Sequence, residues 1–374
     1  MSPWIEWASW GSFGLTLSSL GALHRHAAKL PRLPEDPPAS EATVCLCMPA
    51  RNEAAEIRAA LSSWIAQDHD RLRILVIDDG SEDATPGLLA ELAAAHPDRL
   101  RVIRNDTLPP GWLGKNHALH LAQQQPEARE AQWLLFADAD VQASPDLLRR
   151  ALAFAEGQPT DILALLFAVD TVTFWERLSL PVMVTGIFSL IPPHQVPNPR
   201  HWAFAGIGAF TLVRREAYDA VGGHAAAPME MVDDMMLARR VKKAGFVNRL
   251  AQGGPGLHLR VYHGFEELAR GLRKNTAAFP GWWLLPLLLP MLIALYLSPL
   301  WLPLAGHPVL AILVWLLMPA VAGNANQQLS GQPMDPLWAL WPANAVLLAA
   351  GVGWAFWDRL RGVNTWRGRA VRIR

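Results

Sequence analysis

The sequence predicts an α/β fold with a mostly parallel sheet, flanked by apolar segments of membrane-crossing length. Three observations predict it. From Thr43 to Glu156, short continuous apolar runs alternate with stretches of helical spacing, the pattern of strands covered on both faces by crossover helices. Between Gly281 and Trp357 the one acidic residue is Asp335, and there is no Lys or Arg. Trp4 to Leu23 carries a single charge, Glu6, over about the 20 residues that ~30 Å of hydrocarbon demands.

The N-terminal segment, residues 1–24, reads as a transmembrane anchor rather than a cleaved signal peptide, because no basic stretch precedes it and no small-residue cleavage site follows. Arg25, Lys29 and Arg32 come directly after it, so the middle domain, residues 40–275, is expected on the cytoplasmic side. Within that domain Thr43 to Met48 reads as a strand, Glu53 to Ala66 as a helix and Arg73 to Ile77 as a buried strand ending in acid. Thr85 is the expected N-cap and Pro86 the first helical residue of Gly87 to Ala95. Leu100 to Arg104 reads as a strand, Gly114 to Gln124 as a helix and Trp133 to Ala137 as a strand. Ser144 and Pro145 repeat the helix-start signal before Asp146 to Glu156. The two cysteines, Cys45 and Cys47, fall on one face of the first strand and read as core. They are too few for a disulfide framework or a four-thiolate zinc site.

Residues 281–357 offer three candidate membrane helices: Trp282 to Leu302, Pro308 to Val321 and Leu337 to Phe356. Pro280, Pro286, Pro290, Pro299 and Pro303 interrupt the first, and Trp282 and Trp283 favour the headgroup level, so that segment is expected partly in the interface. The tail, residues 358–374, holds Arg359, Arg361, Arg367, Arg369, Arg372 and Arg374 and is expected in the cytoplasm, which requires an even number of crossings before it. The chain therefore reads as a multi-pass protein of the inner, cytoplasmic membrane. Lys and Arg total 33 against 33 Asp and Glu. With no net charge and no basic patch interleaved with aromatics, nucleic acid is not an expected partner. An apolar fraction of 51% excludes intrinsic disorder.

The acids of interest follow the strands. Asp78-Asp79-Gly80 comes directly after the second strand and Asp138-Ala139-Asp140 after the fourth, where ligands bind in parallel α/β sheets. Two carboxylates at i, i+2 in extended chain share a face and can share a hard cation with phosphate oxygens. A third pair, Asp233-Asp234, begins a segment whose Leu237 and Val241 make an apolar stripe. The helix dipole favours acids there, and one of them can serve as a general base.

These residues carry a family resemblance. Pro49-Ala-Arg-Asn-Glu53, Val76-Ile-Asp-Asp-Gly-Ser81, Phe136-Ala-Asp-Ala-Asp140, Gly222-Gly223 and Asp233-Asp234-x-x-Leu237 resemble, in this order, the family-2 inverting glycosyltransferases of the GT-A, Rossmann-like fold. The insert Leu108-Pro-Pro-Gly-Trp-Leu-Gly-Lys-Asn116 and the terminal Trp366-Arg-Gly-Arg369 are similar to the hopene-associated glycosyltransferases of hopanoid biosynthesis and their carotenoid-glycosylating relatives. The resemblance implies a membrane-bound hexosyltransferase that passes one sugar, with inversion, from a nucleotide sugar, most simply a UDP-sugar, to a lipid such as a hopanoid, a carotenoid acid or a sphingoid. It implies that Pro49, Arg51, Glu53 and Asp79 bind the donor, that Asp138 and Asp140 hold Mg2+ or Mn2+ against the diphosphate, and that Asp234, beside Asp233, is the base.

The chain departs from the family pattern in two places. The pair that usually reads Glu-Asp is Asp233-Asp234, and the Gln-x-x-Arg-Trp motif is missing. Arg270-Gly-Leu-Arg273-Lys274 keeps the spacing, so Arg273 either clamps the diphosphate or belongs to a basic juxtamembrane face. Lys115, at a helix start, either meets donor phosphate or is solvated. A processive polysaccharide synthase would want the missing motif, and a nucleotidyltransferase a glycine-rich first loop. A catalytically inactive lipid-binding scaffold is the alternative outside enzymes. Phe174 to Pro193 reads either as a core helix or as an in-plane helix that admits a lipid. Ala203 to Phe210 is expected beneath the acceptor, its glycines allowing close approach.

Overall fold

The structure, a computed structural model, describes residues 3–180, 191–277, 296–331, 335–361, 365–366 and 369–370. It opens with α1 (Pro3–Ala28). Then come β1 (Val44–Ala50), α2 (Ile57–Ile65), β2 (Leu72–Asp78), α3 (Thr85–Ala95), β3 (Leu100–Arg104) and α4 (Gly114–Gln123). α5 (Pro126–Arg129), β4 (Trp133–Phe136), β5 (Gln142–Ala143), α6 (Leu147–Glu156) and β6 (Ile162–Val169) follow. A helix over residues 174–180, α7, precedes β7 (Thr211–Arg214), α8 (Arg215–Ala220), α9 (Asp233–Lys243), β8 (Asn248–Leu259) and α10 (Phe265–Ala277). The last described helices are α11 (Ser298–Trp301), α12 (Pro308–Ser330) and α13 (Trp341–Leu360). Two residues of β9 (Thr365–Trp366) pair antiparallel with β10 (Arg369–Ala370).

The chain divides into two compact units. Lys29–Val169 and Pro192–Arg260 hold an eight-stranded sheet of order β3-β2-β1-β4-β7-β6-β8-β5. Pairings β1 with β2, β2 with β3, β1 with β4 and β6 with β8 are parallel. The sheet is mixed, because β7 enters antiparallel between β4 and β6 and β5 pairs antiparallel with β8. β2 is buried at every position but one, as its continuous apolar run requires of a strand covered on both faces. Cys45 and Cys47 are free thiols at 0% exposure within one apolar cluster, with Leu75, Leu134 and Val213.

Two helix starts differ from expectation, and in each the expected cap is diverted. Thr85 lies inside α3 rather than capping it, and its hydroxyl accepts the Glu53 N–H at 2.9 Å from 32 residues away. Ser144 spends its hydroxyl on Asp146 Oδ1, 2.6 Å away, ahead of α6. Both are side-chain bonds that pin loops instead of helix ends.

The second unit comprises Met1–Ala28, Asp170–Ile191 and Val261–Arg374. Among the described residues α12 is the one helix both long and apolar enough to cross a membrane. α1, at 26 residues, is about 39 Å long at 1.5 Å per residue but falls short in hydropathy. It packs on α12 and buries Ser9, Ser12 and Thr16, while Trp4, Trp7 and Trp10 are exposed. Small residues turned toward a neighbouring helix and large ones outward is an arrangement suited to lipid surroundings. α7 begins with a capping box: Thr173 Oγ1 donates to Glu176 Oε1 at 2.7 Å, while the N–H groups of Val172 and Thr173 reach Oε2. Glu176 is fully buried and also accepts the Gly264 N–H at 2.7 Å. Asp335, the lone acid of the apolar region, receives a two-point bond from Arg177 at 2.6 and 3.1 Å. Much of the segment expected at the interface from Trp282, residues 181–190 of the Phe174 to Pro193 stretch, and most of the basic tail lie outside the described residues.

Candidate active site

Strand register brings the acids together. β1, β2 and β4 run parallel, so their carboxyl ends share one edge of the sheet, with Ala50 beside Asp78 and Cys47 beside Phe136. Thr211 opens β7 opposite Phe136, so the loop before β7 returns to that same edge. There the Asp138 N–H donates to Gly208 O at 3.1 Å. The chain does not stay extended after β4: Val141 N–H donates to Asp138 O, turning residues 139–140 back. Asp138 and Asp140 are therefore gathered by a turn, not by strand alternation.

The glycines of the loop do allow a close approach, and it is to the acids themselves. A Cβ on Gly208 would lie 2.7 Å from Asp138 Oδ2, and one on Gly206 would overlap the backbone of Asp234. Only bare backbone threads between the two acid pairs. α4 supplies the cation. Its first turn is fixed by the Asn116 amide, which donates to the carbonyls of Ala227, Pro228 and Glu230 at 2.9–3.2 Å. Lys115 Nζ thereby stands 2.7 Å from Asp138 Oδ1 and 3.5 Å from Asp233 Oδ1. His224 Nε2 lies 3.7 Å from the other oxygen of Asp233. Pro49, Lys115, Asp138, Gly208, His224, Asp233 and Asp234 line one depression.

The electrostatics separate the acids. Burial opposes the Lys115 charge, but Asp138, Asp233 and Asp234 outweigh it and hold its pKa above the ordinary lysine value. Burial would also raise Asp233, yet Lys115 and His224 hold it well below the usual carboxylate range. Asp234 is pushed up to about 6 by burial and by the charge of Asp233. Asp140 is pushed up to about 7 by burial and by the neighbouring Asp138 and Glu53 charges. Its Oδ1 is buried without a hydrogen-bond partner. That orphaned oxygen, beside a second carboxylate, fits a hard divalent cation. Among the described residues no group of three or more His, Cys, Asp or Glu forms a cage.

A second cluster surrounds Asp79. Asp78 is fully occupied, its Oδ2 accepting Arg104 at 2.8 Å and its Oδ1 the Ser81 N–H. Asp79 accepts the Asn105 amide at 3.0 Å and faces Arg51 Nη1 at 3.7 Å. Asn105 in turn sits 3.3 Å from His117 Nδ1.

Residues 45–222 match the family described as Glycosyl transferase family 2. The chain carries a family-2 glycosyltransferase domain. A β-monoglucosyldiacylglycerol synthase from Synechocystis is 31% identical over 186 residues, covering 48% of this chain and 36% of the relative. A 4,4'-diaponeurosporenoate glycosyltransferase from Staphylococcus aureus is 26% identical over 247 residues, covering 63% of this chain and 61% of the relative. This chain thus spans less than two thirds of either relative's length. In fold it is similar to a mannosyltransferase from Pyrobaculum calidifontis solved with GDP-Man and Mn2+, at a TM-score of 0.56, 20% identity and coverage of 95% of this chain and 99% of that one.

Of the expected site residues, Pro49, Lys115, Asp138, Asp233 and Asp234 come together in the depression, and Glu53 is near enough for its charge to raise Asp140. Arg51 and Asp79 pair with each other. The backbone of Arg273 lies in α10, and its side chain is outside the described residues. Sequence reasoning missed Asn105, Asn116, Tyr218 and His224. Asn105 occupies the place after β3 that Asp79 occupies after β2, a positional signal that could have found it. His224 follows the Gly222-Gly223 pair directly.

Proposed function

We propose that this chain is a membrane-associated, inverting glycosyltransferase that moves one sugar from a nucleotide-sugar donor to a lipid. The observation that carries the reading is the convergence of Asp138 from the β4 end with Asp233 and Asp234 from the α9 start around Lys115, with Asp140 close enough to feel the Asp138 and Lys115 charges. Asp79 and Arg51, with Pro49 and Glu53 of the first loop, bind the nucleoside. Lys115 contributes positive charge to the diphosphate. Asp138 and Asp140 would hold Mg2+ or Mn2+, which when bound neutralises the departing nucleoside diphosphate. Asp234, the more basic of its pair, accepts the proton of the acceptor hydroxyl. The acceptor oxygen then bonds to the anomeric carbon from the face opposite the diphosphate, and the carbon–oxygen bond to the diphosphate breaks with its electron pair leaving on phosphate. A single displacement needs one base and inverts the centre.

The lipid acceptor is supported by the two relatives, one named for a glucosyldiacylglycerol and one for diaponeurosporenoate. It is supported too by the outward apolar residues Val309, Ile312, Leu313 and Leu316 along α12. We place the protein in the inner membrane, with the sheet unit on the cytoplasmic side where Arg25, Lys29 and Arg32 lie, and take a hopanoid, carotenoid acid or sphingoid as the acceptor class. Purified full-length chain with Mn2+, offered UDP-glucose, UDP-GlcNAc and GDP-mannose together with a total bacterial lipid extract, is expected to yield one new glycolipid by mass spectrometry. Failure to bind or hydrolyse any of these donors would leave a lipid-binding scaffold and end the enzyme reading.

A further inference from the structure

Tyr218 and His224 lie directly behind Asp233, buried to 2% and 3% exposure, and the chemistry above makes no use of them. Tyr218 sits in α8 and His224 follows Gly222 and Gly223, both at positive φ. A Cβ on Gly223 would overlap the Tyr218 ring, so only glycine lets this turn close over the phenol. The backbone N–H of His224 donates to the Tyr218 hydroxyl at 3.1 Å, and the same hydroxyl lies 2.7 Å from His224 Nδ1.

These contacts decide where the imidazole proton resides. A phenol has one proton to give. With its oxygen already accepting a backbone N–H, it completes its bonding by donating to Nδ1, which must then be bare. The reverse arrangement would aim a second donor at the phenol and strand the phenol's own proton in a buried site. A bare Nδ1 puts the ring proton on Nε2, which faces Asp233 Oδ2 at 3.7 Å, beyond direct hydrogen-bond length. The Tyr218 end of the ring selects the tautomer, and the Asp233 end, where a carboxylate can only accept, is compatible with it. Burial lowers the pKa of His224, in keeping with a neutral ring.

We propose that Tyr218 and His224 act as a positioning pair: the tyrosine locks the histidine tautomer, and the histidine Nε2–H steadies Asp233 so that the adjoining Asp234 meets the acceptor hydroxyl in register. This rests on the reading of Asp234 as the base. The Gly222-Gly223 motif is explained as the turn that makes the lock possible.

The test uses the full-length chain in detergent with 15N-labelled histidine, His224→Gln identifying the His224 resonances. The wild type is expected to show Nε2 protonated and Nδ1 as an acceptor, and Tyr218→Phe to move both signals toward a tautomer mixture. A wild-type ring protonated on Nδ1 overturns the lock, whatever the protein's activity. In parallel, turnover with Mn2+ is measured for whichever of UDP-glucose and GDP-mannose the wild type consumes. His224→Leu is expected to lower kcat by about tenfold or more with donor KM changed less than about twofold, as misaligned groups do. His224→Gln, which can donate from a position near Nε2, is expected to recover most of that loss. Wild-type kcat in His224→Leu, or no recovery in a His224→Gln protein of wild-type melting temperature, defeats the proposal. Absence of any donor turnover by the wild type defeats the glycosyltransferase reading instead, and the resonances still decide the tautomer.

Discussion

The ammonium of Lys115 stands 2.7 Å from the carboxylate of Asp138. A lysine there does two opposed things. It repels an incoming divalent cation from Asp138, and it presents a positive charge to the diphosphate that would accompany that cation. Lys115→Met is therefore expected to bind Mn2+ more tightly in the absence of donor, by about tenfold, while losing about 100-fold in turnover. Electron paramagnetic resonance titration reads the first effect and steady-state kinetics the second. Tighter Mn2+ binding with undiminished turnover would show that Lys115 holds off the cation but gives the diphosphate nothing.

The two acid pairs should fail differently. Asp140→Ala is expected to abolish Mn2+-dependent donor binding, because it removes the orphaned buried oxygen. Asp234→Asn should keep donor binding and lose about 10²- to 10⁴-fold in kcat, the usual worth of a positioned base. Calorimetric titration with nucleotide sugar and Mn2+ separates them, and equal loss of binding in both would refute the division of labour.

The rate should fall in acid. Asp234 is pushed up to about 6 and must be ionised to take a proton, so kcat is expected to be level above about pH 7 and to drop about tenfold per pH unit well below that value. Asp233, held well below the usual range, stays charged throughout. Loss of the acid limb in the residual activity of Asp234→Asn assigns it.

Gly206 and Gly208 should respond differently to alanine. At Gly208 the new methyl meets the free end of the Asp138 side chain, which can swing aside, so the protein folds but Mn2+ affinity and kcat are expected to fall about tenfold. At Gly206 the methyl meets the backbone of Asp234, which cannot. That variant is expected to lose stability, by about 1–3 kcal/mol as overpacked positions do, in denaturant titration of the detergent-solubilised chain.

Asn116→Ala tests the anchoring of α4. It takes away an amide that serves three carbonyls, and unsatisfied buried polar groups cost about 1–3 kcal/mol. The denaturation midpoint is expected to fall accordingly, and turnover with it, since the 227–230 loop leads into α9.

Strands β1 to β4 were legible because their apolar runs are continuous, and the acids because they sit where those runs stop; β5, β6 and β8 were not read. Four-residue β7 was not legible: Thr211–Arg214 is too short to carry a period, and its antiparallel placement depends on pairing with β4 and β6. The caps at Thr85 and Ser144 misled because the Thr85 hydroxyl accepts from Glu53, 32 residues away, and the Ser144 hydroxyl donates to Asp146, two residues on. Asp138 and Asp140 were noticed for the right proximity and the wrong geometry, a turn in place of extended chain. His224 and Tyr218 carry no sequence pattern beyond following or preceding a glycine pair, and their relation exists only once that turn is closed. Asn116 was quoted as part of a motif, but nothing in the spacing told that its amide reaches residues more than 110 positions away.

The loop through Gly206 and Gly208 has a consequence for inhibition. It meets Asp138 at Gly208 and the start of α9 at Gly206, so under the roles proposed for those acids it would act as the spacer that sets the gap between leaving group and base. A compound wedged on either side of that spacer changes the gap as surely as one that mimics the donor. Such a molecule need resemble neither sugar nor nucleotide, and resistance by enlarging the spacer is closed off at Gly206, where an added methyl would meet backbone.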